Sequence, residues 1–310
     1  MKKTISPADY IQPLNMNGLN GRMLHMPAHK KINREILLIY GHHAMLERWW
    51  GLAQNLNEYG SVTMPDLPGF GGMDSFHKIG QKPTIDNFAD YLAAFIKLRY
   101  KRRRVTIVGI SFGFVVATRM LQRYPELTSK IDLLVSEVGF MHRDDFLFKP
   151  RNRKVFRVLT RFFSYPPIAL IIRYGWLNRF MIRVVYLKLP NGKKRYLDMD
   201  PADFETMMEF ETDLWQRNDV RTHWATTSEF LNLDNCKEPI KLDVWHVASS
   251  NDHYFNNNFV EQHMRVVFQH YEKGVMKSTA HTPNILANKK EMSVMIPTGL
   301  RRLLSKVDKK

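Results

Sequence analysis

Val105-Thr106-Ile107-Val108-Gly109-Ile110-Ser111-Phe112-Gly113 is the stretch that decides how this chain folds. Residues 105–108 form a short apolar run that reads as a buried strand. The residues from Phe112 to Tyr124 read as a helix that stops before Pro125. Between them lies G-x-S-x-G: Gly109, Ser111 and Gly113. So short a pattern recurs by chance, but its place at a strand-to-helix junction makes it informative. A sharp, strained turn there holds a serine hydroxyl clear of the backbone. The flanking glycines are explained if a side chain would collide with the neighbouring strand or helix. The helix N-terminus behind Ser111 brings free N–H groups and the positive end of a dipole. The bland alternative is a packing glycine pair in a strand–helix crossover.

Working outward, residues 36–40 and 61–64 read as further buried strands. Thr84 caps a helix running from Ile85 towards Tyr100, and 131–135 is a fourth strand. The alternation then lapses. It resumes with a strand at 242–248, a helix around 259–268, a short strand near 274–276 and a last helix over about 289–306. Strands alternating with helices predict an α/β fold, a doubly wound and mostly parallel sheet covered by helices. The lapse predicts an inserted helical cap. The expected organisation is core over 1–140, cap over 141–235 and core again over 236–310.

Composition sets the limits. The 310 residues are 44% hydrophobic and 25% charged, an ordinary globular balance that excludes collagen-like, low-complexity and disulfide-scaffold chains. The lone Cys236 cannot form an internal bridge. Met1-Lys2-Lys3 is not followed by the apolar core of a secretory signal. The most apolar stretch, 166–172, is followed by Arg173, Arg179 and Arg183 and falls well short of the ~20 residues of a spanning helix. The expectation is a soluble, cytoplasmic protein, with peripheral attachment to a membrane still open. The net charge of +16 points to partners rather than to a fold. It is concentrated: 143–195 carry fourteen Lys/Arg against two Asp, and 198–234 carry ten Asp/Glu against two Arg. The cap's two halves therefore either pair with each other or leave the basic half to an anionic surface. Lys97–Arg104 adds six more positive charges on the core.

Three features accompany the serine turn. Tyr40-Gly41-His42-His43-Ala44 follows the first core strand, with Trp49-Trp50 opening the next helix. Asp66-Leu67-Pro68-Gly69-Phe70-Gly71 follows the second strand. Asp252 and His281 each lie just past a late strand, giving the chain order Ser, Asp, His. Over roughly 15–140 and 236–306 the sequence resembles the α/β-hydrolase superfamily, in its group of capped serine hydrolases. The resemblance implies a Ser-Asp-His triad at the carboxyl ends of the strands. Ser111 matches the nucleophile elbow, Asp252 in Ser250-Asn251-Asp252-His253 the acid loop, and His281 in Thr279-Ala280-His281-Thr282-Pro283 the histidine loop. Gly41-His42 matches the oxyanion loop, so the backbone N–H groups of His42 and Phe112 are the expected oxyanion donors. Glu137, at the end of the fourth strand, competes with Asp252 for the acid, since some members place it there. Three departures stand out. Tyr40 replaces the usual histidine of the oxyanion loop, Phe114 threatens to crowd the helix against the sheet, and Ser278-Thr279-Ala280 lacks the usual glycine.

The chemistry of these roles is independent of the family. A serine hydroxyl needs a base in contact to take its proton, and an imidazole titrating near ~6.5 can be that base. The expected activity is hydrolysis of a small acyl or ester substrate through an acyl-enzyme, with no cofactor and no metal. His42-His43 has no Asp, Glu or Cys at ligand spacing. The alternatives are an amidase, an iminopeptidase-like peptidase, a lactonase, a carbon–carbon bond hydrolase, or a ligand-binding protein without turnover. Phe156, Phe162, Phe163, Tyr165, Tyr174, Trp176, Phe180 and Tyr186 interleave with the cap arginines. The favoured reading is a cap core with snorkelling Arg stems. Contact with an anionic membrane is second, and nucleic acid is not expected because no reader motif is present. Trp49 and Trp50 are expected to pack beneath the oxyanion loop, and His77 on exposed surface.

Overall fold

The computed structural model describes residues 5–29, 32–188, 200–276, 281–284 and 287–306. Eight strands form one sheet: β1 (Ile11–Met16), β2 (Leu19–Met26), β3 (Glu35–Ile39), β4 (Ser61–Pro65), β5 (Val105–Ile110), β6 (Ile131–Glu137), β7 (Ile240–Ser249) and β8 (Phe268–Met276). Their spatial order is β1-β2-β4-β3-β5-β6-β7-β8. The β1–β2 and β2–β4 pairs are antiparallel and the rest parallel. The fold is α/β, as expected. Every residue of β4 and β5 is buried, and β5, parallel to both its neighbours and covered on both faces, reads as an apolar run. Thr106, the polar exception in β5, donates its hydroxyl to Asp132 at 2.8 Å.

The helices on the core are α1 (Trp50–Leu56), α2 (Ile85–Arg99) and α3 (Phe112–Arg123). Thr84 caps α2 by accepting from the Asn87 N–H at 3.2 Å. Arg119 and Arg123 of α3 pair with Asp86 and Asp90 of α2, holding the two helices side by side. Between β6 and β7 run α4 (Pro150–Phe163), α5 (Pro166–Ile171) with a π-type turn over Ile172–Trp176, α6 (Arg179–Lys188), α7 (Pro201–Arg217) and α8 (Val220–Phe230). After β7 come α9 (Asn257–Val267), α10 (Lys289–Met292) and α11 (Thr298–Ser305).

The structure corrects the sequence reading in several places. The hairpin β1–β2 is additional, although Asn17-Gly18, both at positive φ (53° and 78°), carries its turn in plain view. The strand expected near 274–276 runs from Phe268 and begins where α9 ends. The single last helix is three pieces, because Pro297 has no N–H to continue a helix and instead starts α11. Gly299 in α11 lies against Trp245, where a Cβ would come within 2.7 Å of the ring. Phe114 does not crowd the helix. It is fully buried, packs 5.9 Å from Phe268, and fits because Gly139 has no Cβ, which would fall 2.5 Å from its ring. Ser278-Thr279-Ala280 lies outside the described residues.

Candidate active site

The turn after β5 is strained in the way the motif demands. Ser111 has φ 48° and ψ −111°, in the region that L side chains avoid, and sits half-buried at the start of α3. Its N–H donates to the Glu137 carbonyl at 2.8 Å, tying the turn to the end of β6. A Cβ on Gly113 would lie 2.2 Å from the Ile39 carbonyl oxygen. One on Gly109 would lie 2.7 Å from Phe114 Cα. Both glycines are thus required by backbone contact, which is the physical content of the motif.

Gly41 reaches the same spot from β3: a Cβ there would lie 3.4 Å from Ser111 Cβ. His43, at φ 52°, turns the chain so that 41–43 wraps the serine. Tyr40 takes over the anchoring of this loop. Its buried hydroxyl donates to Asp66 Oδ1 at 2.9 Å and accepts from the Leu67 N–H at 2.8 Å. Asp66 in turn pairs with Arg22 of β2 at 3.1 Å, and Arg22 also holds Glu47. Trp49 is buried and lines the cleft, while Trp50 is half-buried against Tyr10.

His281 Nδ1 lies 2.6 Å from Asp252 Oδ2. The other oxygen, Oδ1, accepts from the Tyr254 and Phe255 N–H groups at 2.8 and 3.2 Å. Burial alone would raise the Asp252 carboxyl. The hydrogen bond and charge of His281, together with the two backbone donors, outweigh it and hold the group below the usual carboxylate range. Glu137 behaves in the opposite way. It is buried, its Oε2 has no partner among the described residues, and desolvation pushes it well above a normal glutamate. Of the two competing acids, it is Asp252 that the structure joins to the histidine.

Ser111 and His281 line one cleft of about 440 Å³, together with Gly41, His42, Phe140, Phe146 and Phe255. The inserted helices close its other side with Tyr186, Leu214, His223 and Phe230. His223 is a wall residue that no sequence signal marked. His42 Nε2 lies 2.8 Å from Thr226 Oγ1 and 3.2 Å from the His223 carbonyl, so this nitrogen carries the proton. Burial pushes His42 down to about 3 and His43 and His223 well below a normal imidazole. His43 Nδ1 accepts from Asn218 Nδ2 at 3.0 Å, and His43 Nε2 and His223 Nδ1 are buried without a partner among the described residues. The three rings are neutral and bridge core to insertion. Among the described residues no group of three or more His, Cys, Asp or Glu is placed to hold a metal ion. His77 is half-buried and lines a separate cavity of about 600 Å³ with Arg161, Arg221 and Glu229, away from Ser111.

A model of the alpha/beta hydrolase fold family matches residues 35–163, the stretch that includes the elbow. Over that stretch the chain is similar to the α/β-hydrolase family. An abhydrolase domain-containing protein, abhd-5.2, of Caenorhabditis elegans is 28% identical over 150 residues, 47% of this chain. The match spans about a third of that protein's length (33%). Among solved structures, a thermophilic esterase from Thermogutta terrifontis superposes with TM-score 0.65 at 15% identity, covering 96% of this chain and 99% of its own. An enol-lactonase from Burkholderia xenovorans LB400 gives TM-score 0.65 at 12% identity, covering 95% and 100%. At these identities the solved structures establish that the α/β-hydrolase fold is shared.

Proposed function

We propose that this chain is a serine hydrolase of carboxylic esters or related acyl bonds. The observation that carries the reading is the 2.6 Å contact between His281 and Asp252, at the cleft where Ser111 stands on a strained turn. With Nδ1 engaged by Asp252, His281 keeps Nε2 for the serine hydroxyl. Ser111 Oγ attacks the carbonyl carbon and its proton passes to Nε2. The oxyanion is met by the N–H groups of His42 and Phe112, and each such donor is worth about 2.7–4 kcal/mol of barrier. The tetrahedral species collapses, and His281 protonates the departing alkoxide. A water then gives its proton to His281 and attacks the acyl-enzyme, releasing the acid and freeing Ser111. The step sequence uses only these side chains and backbone groups. The aromatic wall of Phe140, Phe146, Phe230 and Phe255 favours an apolar acyl group. The test is a panel of p-nitrophenyl esters, anilides and lactones with the wild type, Ser111→Ala and His281→Ala. Ester turnover lost in both variants supports the reading, and turnover unchanged in Ser111→Ala overturns it. Faster cleavage of anilides or lactones would move the substrate class.

A further inference from the structure

The inserted helix α4 is packed the wrong way round for a water-soluble surface. Its polar side faces the protein: Thr160 is fully buried, Arg157 donates to Asn232 Oδ1 at 2.9 Å, and Arg153 pairs with Asp144. Its opposite side carries Val155, Phe156, Val158, Leu159 and Phe162, all turned to solvent, with Val158 at 65% exposure. The next elements repeat this, with Tyr174 at 79%, Trp176 at 59% and Phe180 at 71%. Fifteen of the twenty-one exposed large apolar side chains among the described residues fall between 147 and 187. An apolar concentration of this kind marks a docking face rather than a solvated one.

Charge selects the occupant. Residues 146–188 contain no Asp or Glu at all. On α6, Arg179 and Arg183 are engaged by Glu205 and Glu209 of α7, so part of the basic half of the insertion does pair with the acidic half. On α4, Arg151 and Lys154 are exposed and make no ion pair among the described residues, while Arg161 faces Glu229 across the cavity they share. Apolar aromatics ringed by cations, with no carboxylate, fit an anionic lipid surface. Among the described residues no single helix is long and apolar enough to cross a membrane. Pro150–Phe163 and Pro166–Trp176 reach that character only together, and they meet at 80°. The face also leads to the cleft: Phe156 stacks on Phe148 at 5.7 Å, and Phe148 lines the cleft with Tyr254, itself 55% exposed and 5.2 Å from His281.

We propose that α4 to α6 form a docking face for an anionic bilayer, and that the substrate is an acyl lipid drawn from that bilayer past Phe148. The substrate half rests on the hydrolase reading above, while the docking half does not. The test is co-sedimentation with vesicles of phosphatidylcholine, with and without phosphatidylglycerol, for the wild type, Ser111→Ala and the double variant Val158→Glu/Phe162→Glu. Both positions of the double variant are exposed, so its fold and its short-chain ester turnover stay as in the wild type. The expected result is binding of the wild type and Ser111→Ala to the anionic vesicles, with the double variant at least about 100-fold weaker. Failure of the wild type to bind either vesicle overturns the proposal. So does binding that the double variant retains and salt abolishes, since that is adsorption by charge alone. A wild type that is dimeric without lipid, a double variant that is monomeric, and no vesicle binding by either would assign the face to a second copy of the chain. Vesicle binding without turnover of any ester supports the docking face and overturns the lipid-substrate half.

Discussion

The elbow and the inserted helices obey opposite rules of burial. At the elbow, every neighbour of Ser111 is fixed by backbone contact: Gly113 against Ile39, Gly109 against Phe114, the Ser111 N–H on Glu137. In the insertion, α4 rests on arginines and a threonine and shows its apolar side outward. Gly175, between α5 and α6, has nothing among the described residues within 4 Å of a Cβ position. The core is specified by its own interior, whereas α4 turns its apolar side away from the interior, on the face proposed above to dock on a bilayer.

Five substitutions test that contrast, in order of decreasing expected effect. Asp252→Asn should lower kcat about 10⁴-fold with the fold retained, because the imidazole loses the partner that sets its tautomer. Steady-state ester kinetics beside circular dichroism check this. Gly113→Ala should cost about 3 kcal/mol by forcing the elbow off Ile39, while Gly175→Ala should stay within about 0.5 kcal/mol. Urea midpoints of the pair measure the contrast directly.

Glu137→Gln should stabilise the protein increasingly as pH rises. Burial raises the folded-state pKa of Glu137. Above its unfolded pKa near 4.5, the unfolded chain has therefore released a proton that the folded chain retains, and wild-type stability falls with pH through that window. The limiting slope is about 1.4 kcal/mol per pH unit for one proton. Melting curves of both proteins from pH 4 to pH 8 should diverge in that direction, with turnover kept within a few-fold. Loss of turnover in Glu137→Gln, with Asp252→Asn active, would exchange the two acids. Val158→Glu, the smallest effect, should leave unfolding free energy within about 0.5 kcal/mol. A larger loss in denaturant titration would mean that this face packs against the protein after all.

Legibility followed the same divide. Buried parallel strands read as apolar runs, and the G-x-S-x-G turn is a local consequence of two close backbone approaches, so β3 to β6 and the elbow are visible in the sequence. The hairpin turn Asn17-Gly18 was equally visible as a signal, but its strands alternate only weakly: three of the six β1 residues are exposed. The contribution of His223 and Thr226 to the site is different in kind. It depends on where α8 docks over His42, which no local pattern encodes. Of the eight cap aromatics expected as core, Phe163 and Tyr186 pack inward and the other six are exposed, because an aromatic stripe at helical spacing does not say which side faces the protein; the packing of Thr160, Arg153 and Arg157 does.

The central claim is that Ser111 becomes covalently acylated. Intact-mass spectrometry after exposure to a fluorophosphonate, with peptide mapping of the adduct, tests it most directly. The expected result is one adduct per chain, located on Ser111 and absent from Ser111→Ala. An unmodified wild type, or an adduct that persists in Ser111→Ala, would contradict it.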